Sequence, residues 1–409
     1  MSKYNLIFFI VFLCLGLRSS AFTNLNTLSF EESLSPLFGD GNLVRSPDDL
    51  SVRLLLDKYT GSGFISSNMY QHGFYSSMIK LPADYTAGVV VAFYTSNGDV
   101  FEKTHDELDI EFLGNIKGKP WRFQTNLYGN GSTHRGREER YRLWFDPSKE
   151  FHRYSILWTP HKIMVHHEGE TKESDEINVE ESKGRTLGDD DQISLGRVHQ
   201  EVVTVKDQLE KKERDTGSKE NRTHKKIHSG TTYGRFWVDD VPIREVIRSE
   251  AMGADYPAKP MSLYATIWDA SDWATSGGKY KVNYKYAPFV AEFKSFILDG
   301  CSVDPIQEVP TDCSDSVYFL ESQDYFSINS HQRAAMRRFR QRFMYYSYCY
   351  DTVRYPEPPP ECVIVPAEKD RFRDTGRLKF GGIEARGRRR NRRQQRSEIE
   401  SDPDERRRF

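Results

Sequence analysis

Short β-rich runs separated by Gly, Asn and Asp dominate this chain and restrict it to a sheet-based fold. Before residue 165 they read SVRLLLD, GFISSNMYQHGFYSSMIKL, AGVVVAFYTS, DELDIEFL, WRFQTNLY, YRLWFD and HRYSILW. After residue 235, FWVDDVPIREV, MSLYATIWDA and APFVAEFKSFIL continue the pattern. Runs at a spacing of roughly 8–15 residues, without helical periods between them, argue for antiparallel strands in a sandwich or barrel. One helix stands out late. From Ser330 onward Ala335, Phe339, Phe343 and Tyr346 recur at helical spacing, with Arg337, Arg338, Arg340 and Arg342 on the opposite, solvated face. The expected fold class is all-β, an antiparallel sandwich with a C-terminal extension containing one helix.

Three segments depart from this pattern. At the N-terminus Lys3 precedes an apolar run from Leu6 to Leu17 and then Ser19, Ser20 and Ala21, which reads as a secretory signal peptide over residues 1–21. Residues 165–235 hold 16 acidic and 13 basic side chains but a single aromatic, Tyr233, so they cannot supply a core like that of the rest. Joining Met164 to Phe236 restores a continuous strand pattern. Either the segment is a spurious or alternatively spliced translation, or Lys162–His167 and Tyr233–Val238 flank a protruding disordered excursion. The tail from 367 to 409 is basic, with a solvated run from Arg388 to Arg396. The domain reading is therefore a catalytic β-domain over 22–300 interrupted by the charged insert, a disulfide-bearing extension over 301–366, and a basic disordered tail.

Removal of a signal peptide takes Cys14 with it and leaves Cys301, Cys313, Cys349 and Cys362. In an oxidising compartment four cysteines predict two disulfides. Three pairings exist, and sequence proximity favours Cys301–Cys313 with Cys349–Cys362. No C-x-x-C spacing points to zinc, and no metal or other cofactor is expected.

The chemistry concentrates in HDELDIEFLG, residues 105–114. Side chains alternate faces along a strand, so Glu107, Asp109 and Glu111 point one way while Leu108, Ile110 and Phe112 point the other. An ordinary solvated strand would rarely collect one sign of charge, because neighbouring like charges repel. Cα atoms of Glu107 and Glu111 should lie about 13 Å apart at roughly 3.3 Å per residue. Two long side chains leaning inward can approach the roughly 5–5.5 Å carboxyl separation that a retaining glycosidase needs. Glu107 would attack the anomeric carbon, Glu111 would protonate the leaving oxygen, and Asp109 would hold the nucleophile by a shared proton. The alternatives are a calcium site, disfavoured by the absence of a Gly-containing loop, and a merely polar sheet face. His105 reads as structural.

These residues carry a resemblance. HDELDIEFLG resembles the active-site strand of the plant xyloglucan endotransglucosylase/hydrolases of glycoside hydrolase family 16, whose pattern is H-[DE]-E-[IL]-D-x-E-F-L-G. Similarity runs from about Leu37 to Cys362 apart from the insert, through QTNLY, LWFDP, YSILW, FWVDDVPIR, IWDASDWATSGG and the Cys-x-x-x-x-Arg-Tyr-Pro region. The DDLSVRLLLDKYTGSGF segment and the long tail resemble the transglycosylating branch. The resemblance implies a curved β-jelly roll whose concave sheet binds xyloglucan. It implies Glu107 as nucleophile, Glu111 as acid and base, and Asp109 as assisting carboxylate. It further implies substrate contacts at Gln124, Thr125, Asn126, Arg137, Glu138, Asp272, Trp273, Gly277 and Arg354. Gly136 stands where the family usually has Asp or Asn. Trp273 beside Gly277 suits a platform for sugar rings, whereas Trp144, Trp158 and Trp237 lie in strand patterns and are expected in the core or mixed, and Trp121 and Trp268 are open.

Asn130-Gly131-Ser132 is a glycosylation sequon in a polar turn. The expectation is a secreted, monomeric enzyme of cell wall and apoplast, acting on xyloglucan donor and acceptor chains. Its basic tail could hold acidic pectin, and neither nucleic acid nor a membrane is an expected partner. A xyloglucan endohydrolase, or a wall polysaccharide-binding protein impaired by the insert, are the rival readings.

Overall fold

The structure is a computed structural model that describes residues 26–159, 233–304, 312–322 and 326–379. Its strands are β1 (Leu34–Phe38), β2 (Leu43–Arg45), β3 (Ser51–Leu56), β4 (Ser62–Ser66), β5 (Met69–Lys80), β6 (Val89–Ser96), β7 (Glu107–Leu113), β8 (Arg122–Tyr128), β9 (Glu139–Tyr141) and β10 (His152–Trp158). They continue with β11 (Tyr233–Val238), β12 (Val241–Ile247), β13 (Ser262–Asp269), β14 (Phe289–Val303) and β15 (Met344–Ser347). The two longest helices, α1 (Ser314–Ser322) and α2 (Ser330–Phe343), follow β14. One sheet runs β1-β4-β13-β6-β7-β8-β9-β15 and the other β12-β11-β10-β5-β14-β3-β2, with antiparallel pairing throughout. The all-β class expected from the punctuated runs is thus the observed one.

The inner faces of the two sheets meet in one large apolar cluster. Leu108, Ile110 and Phe112 from β7 are fully buried in it, and Phe112 sets its edge against Tyr154 of β10 at 4.8 Å. Burying three such side chains contributes roughly 1.5–3 kcal/mol each, which fixes the register of β7 firmly. A second cluster lies on the outer face of the β10/β5/β14 sheet, where Phe74, Leu157, Trp237 and Ile297 meet Leu320 of α1 and Met336 of α2. Trp158 and Trp121 are buried and donate their indole N–H to the carbonyls of Pro257 and Pro82. Trp144 is 41% exposed and rests against Phe339 of α2.

The C-terminal extension differs from expectation in four ways. It contains two substantial helices rather than one. α2 starts as read, with Asn329 and Gln332 forming a capping box, but ends at Phe343. Tyr346 therefore sits in β15, which pairs with β9 and adds a strand to the first sheet. Arg340 is not on a solvated face: Nη2 donates to Glu139 at 2.8 Å, inside a pair shared with Arg244. Residues 367–379, expected in the disordered tail, are ordered because Phe372 is buried and stacks on Tyr350 at 4.8 Å. Disulfides join Cys301 to Cys313 and Cys349 to Cys362.

β10 and β11 flank the charged segment and pair directly, with Trp158 opposite Gly234 and Tyr154 opposite Val238. Residues 233–235, counted with the segment in the sequence reading, are thus part of β11. The strand completes itself from residues after the segment, so its ladder to β10 is unbroken. The signal peptide, residues 160–232 and the basic run at 380–409 lie outside the described residues.

Glu139 is the electrostatic tie between extension and body. Burial would raise its pKa, but the guanidinium groups of Arg340 and then Arg244 overcome this and hold it down to about 2. Because the folded pKa lies below the unfolded one, this contribution to stability is present above about pH 4.5 and is lost as pH falls toward 2. Replacing Arg340 leaves the buried Glu139 carboxylate with only the more distant Arg244 as counter-ion, so Arg340→Ala should cost about 3 kcal/mol in urea unfolding at pH 7. The deficit should shrink at pH 3, and Glu139→Gln added to it should recover part of the loss.

Candidate active site

β7 lies at the centre of its sheet, between β6 and β8, and its alternation is the expected one. Glu107 stands opposite Ser96 and Tyr128, Asp109 opposite Tyr94 and Asn126, and Glu111 opposite Ala92 and Gln124. Small or neutral polar neighbours surround the carboxylates on the two adjacent strands, which limits like-charge repulsion to the row itself. The open face also carries a stacked pair, Tyr94 on β6 and Tyr264 on β13, with ring centroids 5.0 Å apart and planes within 12°.

Each carboxyl feels a different environment. Burial pushes Glu107 up, while hydrogen bonds with Ser96 and Asp109 pull it back. Asp109 is buried and raised well above the ordinary range, first by burial and then by the charges of Glu107 and Glu111. It therefore keeps a proton, which it shares with Glu107. Glu111 is pushed up to about 7 by burial, against the opposing hydrogen bond from Gln124 Nε2 at 2.7 Å, and the charge of Glu138 adds to the rise. Both glutamates are thus raised, Glu111 to about 7, where it can hold a proton to donate, and Glu107 against the pull of its hydrogen bonds with Ser96 and Asp109, which favour its charged form.

Other candidate residues divide between the two faces. Gln124 and Asn126 reach the open face, Asn126 donating to the Tyr128 hydroxyl at 2.6 Å. Thr125 does not, because the intervening position of a strand must point inward. It is fully buried and its Oγ1 accepts from Arg244 Nη1 at 2.9 Å. Arg137 is also withdrawn, 2% exposed and paired with Glu361 and Asp255. Neither is placed to touch a polymer on the open face. Glu138 pairs with Arg140, whose guanidinium lies over the Tyr346 ring at 5.1 Å. Arg140 stands opposite Gln124.

Arg354 is exposed, donates to the His134 carbonyl at 3.3 Å and lies over Tyr355. Gly136 matters here. A Cβ at this position would stand 3.1 Å from the Tyr128 ring and 3.4 Å from Arg354 Nη2, so glycine lets these two approach. At the opposite end Trp273 is 43% exposed and tilts over Trp268 at 5.9 Å. Asp272 projects into solvent 3.4 Å from Lys281, and Gly277 adopts φ +69°, a left-handed turn suited to glycine. Asn130 is exposed in its turn.

Sequence reasoning missed Tyr94, Tyr264, Arg140 and Asp106. The first three carry a signal only once register is known, since each shares a face with the carboxylates by alternation. Asp106 is buried and accepts from the backbone N–H groups of Asn130, Ala258 and Lys259, with the Lys259 ammonium at 2.8 Å. It pins the start of β7 to two neighbouring loops.

Comparison with known proteins gives a consistent result. The profile of glycosyl hydrolases family 16 matches residues 30–171 and 164–286, and that of the xyloglucan endo-transglycosylase C-terminus matches 316–362. The chain is 75% identical over 409 residues to "Probable xyloglucan endotransglucosylase/hydrolase protein 30" of Arabidopsis thaliana, covering 99% of this chain and 98% of that one. It is 59% identical over 372 residues to protein 29 of the same name and organism, covering 88% and 84%. With protein 28 it shares 46% over 379 residues, covering 93% and 92%.

The raised pKa of Glu111 has a cost in stability. Its folded form binds a proton that the unfolded form releases between about pH 4.5 and 7, so stability falls as pH rises through that window. Glu111→Gln should therefore leave the melting temperature nearly unchanged at pH 4 and raise it at pH 8. The gain should be of order 1–3 kcal/mol at the higher pH, measured by thermal unfolding at both.

Proposed function

This chain belongs to the xyloglucan endotransglucosylase/hydrolases of glycosyl hydrolases family 16, and from that premise we propose how its residues act. It is an enzyme that cleaves the β-1,4-glucan backbone of xyloglucan with retention and joins the released end to another xyloglucan chain. The observation that carries this reading is the row on β7, three carboxylates on one face, with hydrogen bonds from Ser96 and Asp109 favouring the charged form of Glu107 and burial pushing Glu111 up to about 7.

Glu107 attacks the anomeric carbon while Glu111 gives its proton to the departing glucosyl oxygen. The bond from the anomeric carbon to that oxygen breaks, and an ester to Glu107 forms. Asp109 donates a hydrogen bond to Glu107 before the attack, which orients one oxygen and spares the row a third negative charge. Once Glu107 is esterified its charge is gone, so the pKa of Glu111, now unprotonated, falls. Glu111 then takes the proton of an incoming hydroxyl, whose oxygen attacks the anomeric carbon; the bond from that carbon to the Glu107 oxygen breaks, releasing the Glu107 carboxylate with net retention.

Transfer exceeds hydrolysis when a sugar hydroxyl is held at the ester better than water is. Tyr94 with Tyr264, and Trp268 with Trp273, offer rings for sugar faces on one side of the row; Gln124, Asn126, Glu138 and Arg140 offer hydrogen bonds on the other. The unbroken ladder of β11 speaks against loss of activity through a damaged strand. Secretion to wall and apoplast, glycan at Asn130, a monomeric state and attachment to acidic pectin through the basic tail complete the proposal. They rest on the sequence. No helix among the described residues is long and apolar enough to cross a membrane.

Incubation of the purified protein with xyloglucan and a labelled xyloglucan oligosaccharide separates the readings. Label should enter the polymer. Glu107→Ala should lower incorporation by at least about a thousandfold with the fold intact. Falling viscosity without incorporation would make the protein a hydrolase, and xyloglucan retention without either would make it a binder.

A further inference from the structure

A cavity of about 580 Å³ lies away from the carboxylate row, between α2, the end of β12 and the chain at residues 361–371. Its floor contains Glu139, whose neighbours Glu138 and Arg140 project to the other face of β9. Two polar atoms of its lining lack partners, although Arg371 Nη2 donates to the Gln341 carbonyl and Glu361 Oε1 accepts from Arg137 and Tyr348. Arg371 Nη1 is buried with no acceptor, and Glu361 Oε2 is buried with no donor, although the Glu361 side chain is only 1% exposed. Arg337, one turn after Arg333 on α2, also lines the cavity and makes no ion pair or hydrogen bond among the described residues. Arg333 and Arg340 on the same wall are already committed to Glu245 and Glu139.

We propose that this cavity is a second carbohydrate site that takes an acidic sugar, a uronate unit of an oligosaccharide. An unpaired guanidinium donor calls for an anion, and the planar fork of arginine matches a carboxylate in two-point contact. The unpaired carboxylate oxygen of Glu361 calls for a hydroxyl donor, and a uronate unit carries several of these on the same ring as its carboxylate. Met336, Val246 and the Cys349 half of a disulfide give the apolar surface against which the C–H face of a pyranose packs. The volume also exceeds what a single inorganic anion fills. The lining reaches only to Arg371 in sequence, before the run from Arg388 to Arg396, and much of it comes from the C-terminal extension that the xyloglucan endo-transglycosylase profile matches in part.

Calorimetric titration of the full chain with a galacturonic acid trimer tests this, with the neutral β-1,4-glucose trimer and inorganic phosphate as controls. One trimer should bind per chain, and the controls should bind at least tenfold more weakly. Arg337→Glu and Arg371→Gln should each weaken the acidic trimer at least tenfold while label transfer on xyloglucan stays unchanged. Reversing charge in the tail at Arg388, Arg389 and Arg390 should leave the affinity within twofold. The proposal is overturned if phosphate or the neutral trimer binds equally well. Loss of binding on tail reversal alone, or unchanged affinity in both cavity variants, overturns it too.

Discussion

Everything in this molecule depends on β7 being two strands in one: an apolar strand toward the core and an acidic strand toward solvent. Leu108, Ile110 and Phe112 are fully buried, and their burial holds a register that repulsion within the carboxylate row would otherwise oppose. The magnitudes favour the core. Three buried side chains at roughly 1.5–3 kcal/mol each outweigh the cost of raising Glu111 to about 7, which comes first from burial and only then from the charges of Glu138 and Glu107, at about 1.4 kcal/mol per pKa unit. A slip of one residue would bury the acids and expose the hydrophobes, so the fold that positions the chemistry is also the one that tolerates its cost.

Glu139 plays the corresponding part on β9. Inward it gathers Arg340, Arg244, Tyr141 and Ser347, and this ties α2 and β15 to the sheet. Outward, its neighbours Glu138 and Arg140 sit beside Gln124 and Glu111. The C-terminal extension therefore sets the position of the polar side of the candidate cleft, and Tyr346 from β15 supplies the ring beneath Arg140. An extension read from sequence as an appendage is a working edge of the sheet.

What could be read in advance follows from the physics of each element. Alternation located β7 and its two faces, cysteine spacing located both disulfides, and the repeat after Ser330 located the start of α2. Consecutive motif residues misled: Gln124, Thr125 and Asn126 cannot all face one way on a strand, and alternation itself would have removed Thr125. Arg137 reads as a substrate contact and Arg340 as solvated because charge alone does not reveal that Glu361, Asp255 and Glu139 await them from distant parts of the chain. Phe372 was hidden within a basic stretch whose composition masked the aromatic contact that orders residues 367–379. The stacked Tyr94 and Tyr264 needed register between two strands far apart in sequence.

The central claim is that β7 presents Glu107 as the nucleophile and Glu111 as its proton partner. A xyloglucan oligosaccharide carrying fluorine at C2 and an activated leaving group should form the ester but release it slowly, since the electron-withdrawing fluorine disfavours the oxocarbenium-like transition state. Peptide mass spectrometry of the trapped protein should find one sugar adduct, on Glu107. An adduct on Glu111 or Asp109, or turnover that leaves no adduct and gives product of inverted configuration, would contradict the account.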